Sequence, residues 1–250
     1  MGTKLNGPKV AVVTGGGKGI GKGIAVELAK RKYDIAIFDI YENGRSVVEE
    51  LEALGAAAQF LSVDVSDEEQ VALAVRTVED SMGGPDVLVN NAGIFPRSSA
   101  IDMPYSMFQK VLHVNLGGAF LCSRHVAPGM LRRGEGVIIN IASGRALQGS
   151  PNGSHYAASK AGIISLTRSL ALEWAPAVRV NAVIPGITDT DQPREVFTTD
   201  EALYGAGKNI PLGRIGQPED TAKLVAYLAS ADASFITGQS ICVNGGAIMQ

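Results

Sequence analysis

A chain of 250 residues that is 46% hydrophobic and 19% charged makes one large domain or two small ones and buries enough surface to fold without a metal or disulfide staple. Its 22 basic and 25 acidic side chains leave a net charge of −3 with no block of one sign, which excludes a nucleic-acid binder working by phosphate neutralisation. Two cysteines, Cys122 and Cys242, and three scattered histidines, His113, His125 and His155, exclude a disulfide framework and leave no ligand set for a metal.

In chain order, Met1–Pro8 lacks the apolar stretch of a signal peptide, and no later apolar run approaches 18 residues. The expectation is a soluble, cytoplasmic protein that binds no membrane. Lys9–Thr14 reads as a buried strand, and Ile20–Arg31 as a helix after a glycine-rich turn. A second strand covers Asp34–Asp39, and Ser46–Leu54 is a helix closed by Gly55. Gln59–Val63 is a third strand, and Asp67 opens an acidic-headed helix. Strands at Val87–Asn90 and Val137–Ile141 enclose one long helix over Tyr105–Met130. A helix over His155–Trp174, a strand at Arg179–Val183, a helix over Pro218–Ser230 and a strand at Ser240–Val243 complete the chain. Strands this apolar, alternating with helices, predict an α/β domain: a doubly wound, Rossmann-like parallel sheet with helices on both faces. Its ligand crevice lies at the carboxyl ends of the strands.

The first strand runs into Thr14-Gly15-Gly16-Gly17-Lys18-Gly19-Ile20-Gly21 and then directly into a helix. Glycines let the chain turn sharply and bring a pyrophosphate onto the amides of the helix N-terminus. The spacing is G-x-x-x-G-x-G rather than G-x-G-x-x-G, and a glycine turn without ligand is the competing reading. Asp39 ends the second strand about 18 residues past Gly21, near the spacing of an acid that grips an adenosine ribose. A 2′-phosphate beside that carboxylate is repelled by about 4 kcal/mol per like-charge pair at 4 Å. Lys18 argues the other way, because a basic residue in the loop attracts such a phosphate. Asp39 sits at the ribose and outweighs it, so NAD is expected over NADP. Tyr156 and Lys160 stand four apart on one helix face. A neighbouring ammonium lowers a phenol pKa toward neutrality and makes it a usable base, while Ser143, at the end of the fifth strand, is placed to bond a substrate oxygen. A Tyr-x-x-x-Lys pair alone is common by chance; with the glycine loop, Asp39 and Ser143 it is not.

Together these motifs resemble the short-chain dehydrogenase/reductase family of single-domain, roughly 250-residue chains. The likeness rests on Thr14–Gly21, Asp64-Val65, Asn90-Asn91-Ala92-Gly93, Asn115, Ser143, Tyr156-Ala-Ala-Ser-Lys160, Pro185-Gly186 and Val243-Asn-Gly-Gly246. It implies a seven-stranded sheet of order 3-2-1-4-5-6-7 and hydride transfer between a nicotinamide and a secondary alcohol or ketone. It also implies residue roles. Tyr156 would be the acid/base, Lys160 would lower its pKa and hold the nicotinamide ribose, Ser143 would orient the substrate, and Asn115 would support a proton path from Lys160. Gly15, Lys18, Gly19, Ile20 and Gly21 would cradle the dinucleotide with Asp39, Asp64, Val65, Asn91, Ala92, Gly93, Pro185, Gly186 and Thr188. Thr188 stands where the family commonly has Ile or Val. Leu172 stands where its acyl-carrier-dependent reductases tend to carry arginine, leaving Arg132 and Arg133 as the basic pair for such a carrier.

Substrate choice is expected from 95–98, 144–155 and a lid at about 187–209 that carries Asp189, Asp191, Arg194 and Tyr204. Arg145 and His155 either contact a polar or anionic substrate or face solvent. A small polar substrate, a polyol, sugar or hydroxy acid, is favoured. Ala158, Gly162, Ser165 and Ser169 form a small-residue stripe suited to helix pairing, and with the resemblance it predicts a homo-oligomer, a dimer or tetramer. Two alternatives stand beside the NAD-dependent oxidoreductase: an NADPH-dependent 3-oxoacyl-carrier-protein reductase and a non-catalytic nucleotide sensor.

Overall fold

The computed structural model describes residues 7–42 and 44–249; the reading of the first six residues as lacking a leader lies outside them. Seven strands form one sheet: β1 (Val10–Thr14), β2 (Asp34–Asp39), β3 (Ala58–Ser62), β4 (Val87–Asn90), β5 (Gly136–Ile141), β6 (Val178–Pro185) and β7 (Ser240–Val243). Their order is 3-2-1-4-5-6-7, and every pairing is parallel. The expected fold and strand order are therefore those observed.

Side chains alternate across each strand, so Ala11 and Val13 enter one core while Val10 and Val12 enter the other. The first core is covered by α1 (Gly19–Lys30), α2 (Gly44–Ala53) and α10 (Pro218–Ala229), through Ile24, Leu28, Val47, Leu51 and Val225. The second is covered by α3 (Glu68–Met82), α5 (Gly118–Arg133) and α7 (Ser154–Trp174), through Val71, Val75, Cys122, Val126 and Leu170. Asp67 caps α3 by accepting bonds from the amides of Glu69 and Gln70, and Gly83 closes it in the left-handed region at φ +81°. Asp67→Ala should destabilise the fold by removing this cap, read as a lower midpoint in urea unfolding with an unchanged slope.

Several boundaries differ from expectation. The stretch over Tyr105–Met130 is not one regular helix: α4 (Tyr105–Leu112) passes into a π-turn at His113–Gly117 before α5 begins. The apolar repeat continues through the π-turn, so periodicity alone does not reveal it, yet the wider turn carries the buried Asn115. Such turns recur at functional sites. Three short helices, α6 (Arg145–Gln148), α8 (Asp191–Arg194) and α9 (Asp200–Gly205), fall below the length at which a hydrophobic period is readable. β3 and β7 are only partly buried because they are the sheet's edges. Among the described residues no helix is long and apolar enough to cross a membrane.

Candidate active site

Strand order reverses between β1 and β4, and a crevice opens there at the carboxyl ends of the strands. Its floor is tied by Thr14. The Thr14 hydroxyl accepts bonds from the amides of Asn91 and Ala92, each at 3.0 Å, while the Asn91 side-chain amide donates to the carbonyls of Thr14 and Gly15. Gly15 and Gly19 adopt positive φ, +61° and +55°. A Cβ on Gly15 would sit 2.9 Å from the Ala92 Cα, and one on Gly21 only 2.0 Å from the Gly15 carbonyl oxygen. The turn thus exists only as glycine, and α1 starts without a side-chain cap at Lys18. Bare amides at a helix N-terminus, with the positive end of its dipole, suit an anionic pyrophosphate. Gly21→Ala should lower stability by about 1–3 kcal/mol and abolish dinucleotide binding, measured by thermal melting and by fluorescence titration.

Asp39 ends β2 almost fully buried, at 6% exposure. Its carboxylate accepts the Gly17 amide at 2.9 Å and the Tyr41 amide at 3.1 Å, which aims it into the glycine turn with acceptor sites left over. Lys18 feels the Asp39 charge but is bonded elsewhere. Its ammonium pairs with Asp191 at 3.0 Å and lies 4.9 Å from the Tyr41 ring centroid.

Across the crevice a cavity of about 340 Å³ is lined by Ser143, Tyr156, Lys160, Asn91, Gly93, Pro185, Gly186, Thr188 and Ile20, among others. Ser143 follows β5, Tyr156 and Lys160 project from α7, and Pro185 ends β6. Lys160 is buried, donates to the Ile141 carbonyl at 2.8 Å and stands 5.7 Å from the Tyr156 ring centroid. Burial lowers its ammonium to about 8. For Tyr156 burial acts in the opposite sense and pushes the phenol above its usual value, against hydrogen bonds with Ser143 and Gln192 and the positive charge of Arg145. The expected lowering by Lys160 is therefore not what the protein alone displays: desolvation outweighs it. Asn115 accepts from the Ile94 amide at 2.8 Å and donates to the Ile94 carbonyl and the Ser159 hydroxyl. It meets Lys160 only across Gly93, whose Cβ would lie 3.1 Å from Asn115 Oδ1 and 3.6 Å from Lys160 Nζ.

The family profile described as enoyl-(acyl carrier protein) reductase matches residues 15–247, nearly the whole chain. The chain belongs to the short-chain dehydrogenase/reductases. The 3-oxoacyl-[acyl-carrier-protein] reductase of Staphylococcus aureus is 40% identical over 244 residues, covering 96% of this chain and 98% of the relative. A Beutenbergia cavernae structure, provisionally assigned as an NAD(P)-dependent gluconate 5-dehydrogenase and bound to NADP at low occupancy, is 37% identical with a TM-score of 0.90, covering 96% of both chains. An Agrobacterium tumefaciens structure, provisionally assigned as a gluconate dehydrogenase, is 31% identical with a TM-score of 0.92, again over 96% of both chains. This short-chain dehydrogenase/reductase is accordingly an NAD(P)-dependent oxidoreductase acting on alcohol or keto groups.

Most of the residues singled out by sequence meet in the crevice, but some do not. Asp64 is exposed and binds the Ser66 amide and hydroxyl, while Val65 is buried against Gly118. Thr188 pairs by its backbone with Gly216 and sits almost wholly buried at the cavity wall. His155 neither faces solvent nor lines the cavity. It is fully buried, its Nδ1 accepts the Tyr156 amide at 2.8 Å, and its ring meets Phe95 edge-on. Its apolar surroundings win because α7 turns that position inward. Arg132 and Arg133 pair with Glu79 and Asp86, so both arginines are engaged within the chain. Sequence reasoning overlooked Gln192 on α8, bonded to Tyr156, and Phe95, stacked on the Tyr156 ring at 4.2 Å. Both lie in segments flagged as substrate loops, but no motif distinguishes them there.

Proposed function

We propose that this enzyme is an NAD(H)-preferring oxidoreductase that interconverts a secondary alcohol and its ketone on a small polar substrate. The observation that carries the cofactor preference is Asp39, buried at the end of β2 and bonded to the glycine turn, where a 2′-phosphate would meet a fixed negative charge. A dinucleotide held by the glycine turn and Asp39 would supply or accept the hydride. Tyr156 passes the proton to or from the substrate oxygen, and Ser143 bonds the same oxygen. Lys160, its ammonium donating to the Ile141 carbonyl, would hold the dinucleotide ribose and favour the phenolate. Asn115 is a positioning residue that fixes the Ile94–Gly93 backbone against Lys160. The complete Ser143, Tyr156 and Lys160 set speaks against a non-catalytic nucleotide sensor.

The NADPH-dependent 3-oxoacyl-carrier-protein reductase is the second reading, supported by the names of relatives such as the Staphylococcus aureus protein. Against it stand Asp39, the engaged Arg132 and Arg133, and Leu172, which is 84% exposed on α7 where an acidic carrier would meet a cation. A substrate panel of polyols, sugars, hydroxy acids and 3-oxoacyl thioesters, followed at the reduced-nicotinamide band with both dinucleotides, separates the two. Higher kcat/KM with NAD(H) on a small polar substrate is expected; equal or better use of NADPH, or turnover confined to acyl thioesters, would overturn the first reading.

We further propose that 187–209 acts as a lid. Arg194 joins Asp189 to Asp200, Tyr204 donates to Asp189 at 2.6 Å, and Lys18 bridges to Asp191, so the segment is internally clasped but fastened to the glycine turn by an exposed ion pair. In the same spirit, Ala158, Ser165 and Ser169 are exposed on α7 and support a homo-oligomer paired through that helix. Light scattering should give a dimer or tetramer rather than a monomer.

A further inference from the structure

The cavity beside Tyr156 has an uneven charge. Arg97, Arg145 and Lys160 line it, and among the described residues no aspartate or glutamate does. Elsewhere in the fold guanidinium groups are commonly neutralised, as Arg194 is by Asp189 and Asp200 and Arg214 by Asp220. Arg97 and Arg145 have no carboxylate partner among the described residues. Their placement is specific. The Arg97 guanidinium lies 5.8 Å from the Phe95 ring centroid, and Phe95 itself stacks on Tyr156 at 4.2 Å. Arg145 begins α6 two residues after Ser143, its amide donating to the Ser143 hydroxyl at 3.2 Å. The two arginines therefore stand near the ring that would pass the proton and the hydroxyl that would hold the substrate oxygen. Both arginines are exposed at the cavity, and with Lys160 they make its potential positive, which draws an anion. A planar guanidinium matches a carboxylate with paired hydrogen bonds.

We propose, on the oxidoreductase reading above, that the substrate carries a carboxylate, and that Arg97 and Arg145 anchor it while the carbinol or carbonyl carbon faces Tyr156 and Ser143. The substrate class is thus a small hydroxy acid or keto acid, such as a sugar acid, rather than a neutral polyol, a hydrophobic ketone or an acyl thioester. The cavity of about 340 Å³ lies at the small end of ligand sites, and its lining is shared with residues expected to hold the dinucleotide, which leaves room for a compact acid only.

The test pairs a six-carbon sugar acid with its neutral polyol counterpart. Calorimetric titration of each into the dinucleotide-loaded protein reads the anion site directly, without any need for turnover. The acid should bind at least about a hundredfold more tightly than the polyol, the product of two charged hydrogen-bonding anchors. Arg97→Gln and Arg145→Gln should each reduce that preference by about 10- to 100-fold, the scale of a charged hydrogen bond, whereas the distant Arg76→Gln on α3 should not. Equal binding of acid and polyol, equal losses for both in the arginine variants, or preference for a sugar phosphate over the acid would overturn the proposal. Turnover of no alcohol or ketone with either dinucleotide, together with intact preference for the acid, would instead sink the oxidoreductase reading and leave the anion site standing.

Discussion

Tyr156→Phe should lower kcat by about 10²- to 10⁴-fold, the usual contribution of a positioned acid/base, while dinucleotide affinity and melting temperature stay close to those of the parent enzyme. The expectation of intact folding follows from the ring's packing. Phenylalanine keeps the stack on Phe95, and the lost hydroxyl is bonded to side chains, Ser143 and Gln192, that face the cavity rather than the core. A variant with full activity would remove the phenol from the chemistry. The pH profile adds a second readout. Because burial sets Lys160 at about 8, its ammonium loses its proton as pH rises through that value, and its help to the phenolate fades above it. The profile of kcat/KM for the dinucleotide, which reports groups of the free enzyme, should contain an ionisation near 8, and Lys160→Met should erase it.

Asp39→Ala should raise the ratio of kcat/KM for NADP(H) over NAD(H) by roughly 10²- to 10³-fold, because a like-charge pair near 4 Å costs about 4 kcal/mol at an effective dielectric of 20. NAD(H) should lose affinity at the same time, since charged hydrogen bonds are worth about 1.5–3 kcal/mol each. The substitution also frees the Gly17 and Tyr41 amides that the carboxylate now accepts. Asp39→Asn separates the two effects: it retains an acceptor, removes the charge, and should give a smaller shift in the same direction. Lys18→Met should leave NADP(H) use nearly unchanged, because that ammonium is committed to Asp191 and the Tyr41 ring. A large fall in NADPH turnover in Lys18→Met, with no gain in Asp39→Ala, would reverse the assigned preference.

The sheet and the crevice were legible because their signals are local. β1, β2, β4 and β5 each carry three or more consecutive apolar residues, which need two covered faces, and the glycine turn must be glycine wherever backbone approaches backbone as closely as at Gly21. Tyr156 and Lys160 share a face by helical geometry alone. What stayed hidden depends on distant parts of the chain. Nothing around His155 in sequence tells that it packs against Phe95, 60 residues earlier. The π-turn at His113–Gly117 keeps the apolar pattern of a helix while changing its hydrogen bonds. The Tyr156 phenol was expected to be lowered by its lysine neighbour. Burial, which arises only when Phe95, α7 and the 187–209 segment come together, decides the sign instead. Gln192 comes to the phenol from α8, in that same distant segment.

The Thr14 hydroxyl ties the end of β1 to the chain leaving β4. Its consequence is an asymmetric cleft. One wall is bolted to the centre of the sheet and moves only if the sheet itself yields. The opposite wall meets the glycine turn through the Lys18–Asp191 surface ion pair and Thr190 packed beside Gly19, and dissolved salt weakens the ion pair. On the proposed lid reading, ligand release works through that second wall, and raising ionic strength should quicken it while the floor beneath stays fixed.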